Sequence, residues 1–241
     1  MKPEIFRFIR HSVVLCLLLF ASFSYAGTWV ENFDDGNYDG WKLVIGSLPQ
    51  RATVNVVNGE LVFRDFNIPS SGTEDWLVLE ASRDWSDYII ELRFKFTEEI
   101  DPDFTSRGMI VTYHDTFDGV PEGGPNTLFA AALTGGEVMG WVAIDGKFIG
   151  IKSGVFQFSP GTWYHMKILV EGTHSEIFID GQQVVAYDVE GFTKGGVGIG
   201  APNVVTHFDD IRISGASVPD GGATAVRARG KLATLWAVLK K

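Results

Sequence analysis

Between Tyr88 and Phe96 the chain alternates. Tyr88, Ile90, Leu92, Phe94 and Phe96 fall on one parity, and Ile89, Glu91, Arg93 and Lys95 on the other. Successive side chains of an extended chain point to opposite faces, so this pattern buries one face of a strand and wets the other. A helix would scatter the same residues around its axis. The pattern recurs with turns between its copies. His165–Val170 and Glu176–Asp180 flank the turn-like Glu171-Gly172-Thr173, and the second run passes through Asp180-Gly181 into Gln182–Tyr187. Asn58-Gly59, Asp145-Gly146 and Asp180-Gly181 are hairpin pairs, because both positions of such a turn need positive φ. Val197–Ile199 and Phe208–Ile213 close the series. Short strands joined by hairpins, without helical crossovers, predict an all-β fold: an antiparallel two-sheet jelly-roll sandwich over residues 27–214.

The first 26 residues read differently. Lys2, Arg7 and Arg10 precede an apolar run from Ser12 to Phe20, and Ser24-Tyr25-Ala26 sets small residues where a signal peptidase cuts. The run is shorter than the roughly 20 apolar residues a spanning helix needs. Residues 1–26 are therefore expected to be a cleaved signal peptide, leaving no transmembrane segment and an extracytoplasmic location, periplasmic, cell-surface or secreted. Cleavage removes Cys16, the only cysteine, so the exported domain is held by its core and not by disulfides. It also removes Lys2, Arg7, Arg10 and Glu4, taking the net charge from −10 to −12. So acidic a surface repels nucleic acid and anionic lipid, and suits neutral ligands or divalent cations.

After Ser214 the composition shifts. Residues 215–230, opening Gly215-Ala-Ser-Val-Pro-Asp-Gly-Gly, read as a flexible linker. Residues 231–241 place Leu232, Leu235, Trp236 and Leu239 at helical spacing among lysines. The tail is a frayed terminus or a docking helix for a partner, since a helix this short needs something to fold against.

Three groups of residues resemble landmarks of the laminin-G-like, concanavalin-type jelly rolls. They are Trp29–Asp35 with Asp39-Gly40-Trp41 and Val57–Leu61; Gly161-Thr162-Trp163-Tyr164-His165-Met166-Lys167 before a hairpin ending Ile179-Asp180-Gly181; and Gly195–Ile199 through Phe208-Asp209-Asp210-Ile211-Arg212-Ile213. Their order spans nearly all of 28–214. Such jelly rolls include carbohydrate-binding modules, lectins, glucanases and the keto-disaccharide hydrolase-like domains of bacterial exported proteins, so the resemblance implies a fold more than an activity. It places Trp41 and Trp163 in the core; Trp85 reads as a half-buried loop anchor.

Catalytic signals are weak. Glycosidases need two carboxyls facing one another across the scissile bond, which on one strand means i and i+2 or i+4. Glu74-Asp75 and Glu98-Glu99 are adjacent and point apart, Asp84 and Asp87 flank Trp85, and Asp101 and Asp103 are split by Pro102. His114, His165, His174 and His207 lack zinc spacing.

Sugars stack their C–H faces on aromatic rings and take hydrogen bonds from planar polar groups. In Arg107–Asp115, Met109, Val111 and Tyr113 alternate with Ile110, Thr112 and His114, so one parity can be core while the other lines a concave sheet. The candidate glycan-binding residues are Arg107, Tyr113, His114, Asp115, Trp141 and Trp76. The resemblance also implies a structural calcium between the first and last strands. Asp34 and Asp209 stand at those positions, and Asp209 is expected on the face of Ile211 and Ile213, an odd place for a carboxylate without a partner. Three readings follow: a secreted carbohydrate-binding domain, a glycosidase-like hydrolase of the keto-disaccharide type, and an adhesion module working through its tail.

Overall fold

The computed structural model describes residues 26–44, 52–65, 75–100, 107–115, 127–144 and 147–222. In chain order the strands are β1 (Gly27–Glu31), β2 (Trp41–Val44), β3 (Thr53–Val57), β4 (Glu60–Arg64), β5 (Trp76–Leu79), β6 (Tyr88–Glu99), β7 (Gly108–Asp115), β8 (Thr127–Leu133) and β9 (Glu137–Ile144). They continue as β10 (Lys147–Val155), β11 (Tyr164–Glu171), β12 (His174–Ile179), β13 (Gln182–Asp188), β14 (Gly196–Gly200), β15 (Val204–Gly215) and β16 (Gly221–Gly222). Among the described residues a single 3-10 turn, Glu80–Ser82, follows β5.

Two sheets result, as the sequence predicts. One runs β13-β12-β11-β6-β15-β1-β16, with the hairpin β3–β4 attached to β15; the other runs β10-β9-β8-β7-β14-β5-β2. Among the described strands every pairing is antiparallel except β1 with β16, and the isolated bridge Asp65–Pro202 is also parallel. Tyr88, Ile90, Leu92, Phe94 and Phe96 of β6 are all buried, together with Met166, Ile168 and Val170 of β11. They meet Met109, Val111 and Tyr113 of β7 and Val197 and Ile199 of β14 in one core. Each such side chain contributes about 2 kcal/mol of burial. The Asp180-Gly181 hairpin forms with φ of 49° and 81°, the pairing an Asp-Gly turn permits.

The two sheets meet closely where Gly140 of β9 carries no side chain. A Cβ on Gly140 would lie 2.0 Å from the Tyr187 ring. Tyr187 crosses there to share a hydrogen bond with the Tyr113 hydroxyl, beside buried Ser175. Burial pushes the Tyr113 phenol up to about 12.

Three sequence expectations change. Residues 215–222 are not free linker. Val218 is buried, the Ser217 hydroxyl donates to Ser86 O and accepts from Ser86 N, Asp220 accepts from Thr28 N, and β16 pairs with β1. Asp209 does not share a face with Ile211 and Ile213. A bulge between Asp209 and Arg212, with Asp210 at φ 49°, inserts a residue and reverses the parity of β15. Phe208, Ile211 and Ile213 all reach the core, while Asp209 turns outward opposite Arg93. Trp163 is not a core residue either. It is half-buried on the outer face, with the Arg93 guanidinium 4.8 Å and the Lys95 ammonium 4.4 Å from its ring. Trp41 is buried edge-on against Trp29, and Trp85 is buried. The 1–25 and 223–241 segments, with Asp145-Gly146, lie outside the described residues.

Candidate functional site

The outer face of the seven-stranded sheet carries a second apolar cluster, separate from the core. Its buried members are Trp76, Val78, Ile110, Phe129, Ala131 and Ala143, with Val44, Leu133 and Trp141 packed on them. Register aligns these residues in two rows. One row runs Lys42, Val78, Gly198, Thr112, Phe129, Trp141, and the other Val44, Trp76, Gly200, Ile110, Ala131, Met139.

The aromatic rings form a chain across the rows. Trp76 and Phe129 have ring centroids 6.4 Å apart, and Phe129 and Trp141 stack at 6.0 Å and 22°. Strands β5 and β8 are three spacings apart, about 14 Å, so Trp76 and Phe129 lean together over β14 and β7. Gly198 and Gly200 leave room for this. A Cβ on Gly198 would meet the Thr112 Oγ1 at 2.6 Å, and one on Gly200 the Ile110 side chain at 3.0 Å. Trp76 and Phe129 are almost completely covered, and Trp141 is half-buried with its indole N–H donating to the Met139 sulfur. The Thr112 hydroxyl is buried on this face and has no hydrogen-bond partner among the described residues.

Trp76 and Trp141 therefore come together as candidates, and Phe129 joins them. Phe129 escapes the sequence reading because Leu128–Leu133 is apolar at every position. A strand buried on both faces shows no alternation, and only its length hints at its place in the sheet. The other candidates separate from this group. Tyr113 faces the core. His114 is also buried, because the pairing of β7 with β14 shifts between Thr112 and Asp115 and turns its ring against Tyr88 and Tyr113. Arg107 lies just ahead of β7, five residues from Thr112, with its Nε 3.6 Å from Glu99 Oε1. The Asp115 side chain lies outside the described set.

Among the described residues, several acids and the remaining histidines are committed to the fold. Asp65 and Asp75 are buried, Asp65 accepting from Asp75 N and Asp75 from Ala52 N. Glu60 takes the Lys95 ammonium at 2.9 Å and His207 Nδ1 at 2.7 Å. Burial alone would raise the Glu60 carboxyl, but these two partners hold it below the usual range. His174 bridges Asp188 and Glu176, and the bond to Asp188 raises its pKa. His165 Nε2 stands 3.9 Å from Glu91.

The donors expected for calcium do not fit it. Asp209 is answered by Arg93 and by Asp210 N, which supplies the partner its position demands. Asp34 is tied to Asn32 by two hydrogen bonds. Glu31 accepts from Phe33 N, and burial raises its carboxyl. Among the described residues no three His, Cys, Asp or Glu side chains converge as a metal site.

Solved structures similar to this one are jelly-roll proteins of several kinds. The carbohydrate-binding module CBM66 from Bacillus subtilis superposes with a TM-score of 0.55 at 18% identity, covering 73% of this chain and 96% of its own. The winged bean acidic lectin, solved with methyl-alpha-D-galactose, gives 0.56 at 12% identity over 78% of this chain and 98% of its own. The beta-glucanase of Bacillus licheniformis gives 0.54 at 14%, over 78% and 97%. At these identities the likeness is one of fold. A search of curated proteins gave no match. Residues 28–214, nearly the whole sandwich, match the family described as the 3-keto-alpha-glucoside-1,2-lyase-like domain, and the chain belongs to that family.

Proposed function

We propose that this domain binds carbohydrate on the outer face of its seven-stranded sheet, with Trp141 as the contact ring. One observation carries the reading: a stack of Trp76, Phe129 and Trp141 on an outer sheet face, with its last ring still partly open. Trp76 and Phe129 are already covered, so the ring left to meet a ligand is Trp141, half-buried at the end of the stack, which offers its face to the C–H side of a sugar. The chain's net charge of −10 favours a neutral glycan over an acidic one. The carbohydrate-binding module and the lectin among the similar folds support the same reading.

The test is a glycan array probed with residues 27–222, followed by calorimetry on the strongest glycan. Trp141→Ala is expected to weaken binding at least tenfold, a loss of about 1.4 kcal/mol, with the melting temperature changed little because the ring is half-exposed. Array silence, or full affinity in the variant, ends the proposal.

The family description favours a second, catalytic reading. A 1,2-lyase acting on a 3-keto-glucoside removes the C2 proton, made acidic by the neighbouring ketone, and expels the C1 oxygen, so it needs a base beside C2. Among the described residues the two rows hold no histidine and no carboxylate. Turnover of a 3-keto-glucoside by the wild type would make the face an active site and not a binding surface alone. Export through residues 1–26 belongs to the same proposal, and N-terminal sequencing of the mature protein is expected to begin at Gly27. The tail's partner remains a separate proposal: deleting 223–241 is expected to leave glycan binding intact.

A further inference from the structure

His114 has no role in the aromatic face, yet its setting is unusual. It is buried, with φ of 53°, in the left-handed region that few residues other than glycine adopt. Neither ring nitrogen has a hydrogen-bond partner among the described residues. Its ring packs edge-on against Tyr88 at 5.8 Å and Tyr113 at 5.9 Å. Its backbone N–H donates to the Tyr88 hydroxyl, which in turn donates to Gly195 O. One hydroxyl of the nine-stranded sheet thus clamps the end of β7 to the residue before β14. These two strands carry Ile110, Thr112, Gly198 and Gly200, the floor beneath the aromatic stack.

A neutral imidazole fits such a site at the cost of two unmade hydrogen bonds. An imidazolium does not, because a charge without a partner is expelled from an apolar site. The titratable groups facing it are Asp87, Tyr88 and Tyr113. The Phe192 backbone and the Asp87 charge favour the charged ring, but neither makes a hydrogen bond to its nitrogens.

We propose that His114 is an acid-sensitive latch: protonating its ring frees the β7 bulge from the Tyr88 clamp and loosens the β7–β14 floor of the ligand-facing surface. The consequence for ligand rests on the binding reading above; the loosening itself does not. Burial lowers the ring's pKa to about 4, against 6.5 when it is free. The sign follows from linkage. The opened state binds the proton more tightly, so the latch holds fully above pH 6.5, weakens as the pH falls and reaches its limit below 4. At that limit the opened state is favoured by roughly 300-fold more than at neutral pH.

The experiment is amide hydrogen exchange on the mature protein at pH 7 and 4.5, corrected for intrinsic rates, with no sugar present. Protection in β7 and β14 is expected to fall roughly 60-fold, while β11 and β12 hold theirs. His114→Asn, which tolerates positive φ and does not titrate in this range, is expected to remove the pH dependence. An NMR titration of the wild-type ring keeps the idea testable if that variant does not fold. A ring titrating near 6.5, or an equal loss in both sheets, overturns the latch. Because no glycan enters the measurement, the latch and the binding proposal can fail separately.

Discussion

Replacing Arg93 with methionine is expected to lower the stability of the sandwich by about 3 kcal/mol. The Asp209 side chain is only 4% exposed, and Arg93 is its ion-pair partner. Removing the guanidinium leaves a buried carboxylate supported by the Asp210 N–H, and such a charge is far more costly than the pair it came from. The figure is taken from the low end because Arg93 itself is 37% exposed and part of its charge is screened. Arg93 also makes a second ion pair, Nε to Asp210 Oδ2 at 2.9 Å, and lies against the Trp163 ring. Urea unfolding measures the effect. The double variant Arg93→Met/Asp209→Leu is expected to recover most of the loss, since it removes both charges and keeps apolar volume beside Trp163. A single-variant loss below about 1 kcal/mol would show that this pair is an ordinary surface contact.

Gly140→Ala is expected to cost about 3 kcal/mol, at the upper end for an overpacked core. The added carbon would sit 2.0 Å from Tyr187 Cε1 and 2.3 Å from Cζ, inside the ring's own volume. Tyr187 cannot swing aside freely, because its hydroxyl is bonded to Tyr113 and both rings are buried. Thermal melting should show a drop of roughly 10 °C in a domain of this size. On a Tyr187→Val background the same alanine should cost under about 1 kcal/mol. Equal costs in both backgrounds would mean that the close approach of the sheets at β9 does not depend on this ring.

These two effects arise where the sequence was least legible. Along β6 the alternation of Tyr88 to Phe96 named both faces correctly, because a strand with one wet side writes its orientation into its composition. The same rule failed on β15. There it placed Asp209 with Ile211 and Ile213, and one inserted residue at the bulge reversed the count, setting Asp209 opposite Arg93. On β7, rule and structure agree as far as Thr112. They part at His114, where the shifted pairing with β14 turns the ring inward. Phe129 was illegible for the opposite reason: with both faces of β8 buried, there was no parity to read.

The sequence by itself determined the all-β class, the hairpins at Asn58-Gly59 and Asp180-Gly181, and the identity of the core strands, because period-two burial and positive-φ turns are properties of neighbouring residues. The tertiary structure alone decided which aromatic rings share a surface. Trp76, Phe129 and Trp141 lie on three strands brought together by pairings distant in the chain, and Trp163 left the core for a seat between Arg93 and Lys95. Register and bulges fix such placements through long-range hydrogen bonding, and no local pattern of residues encodes it.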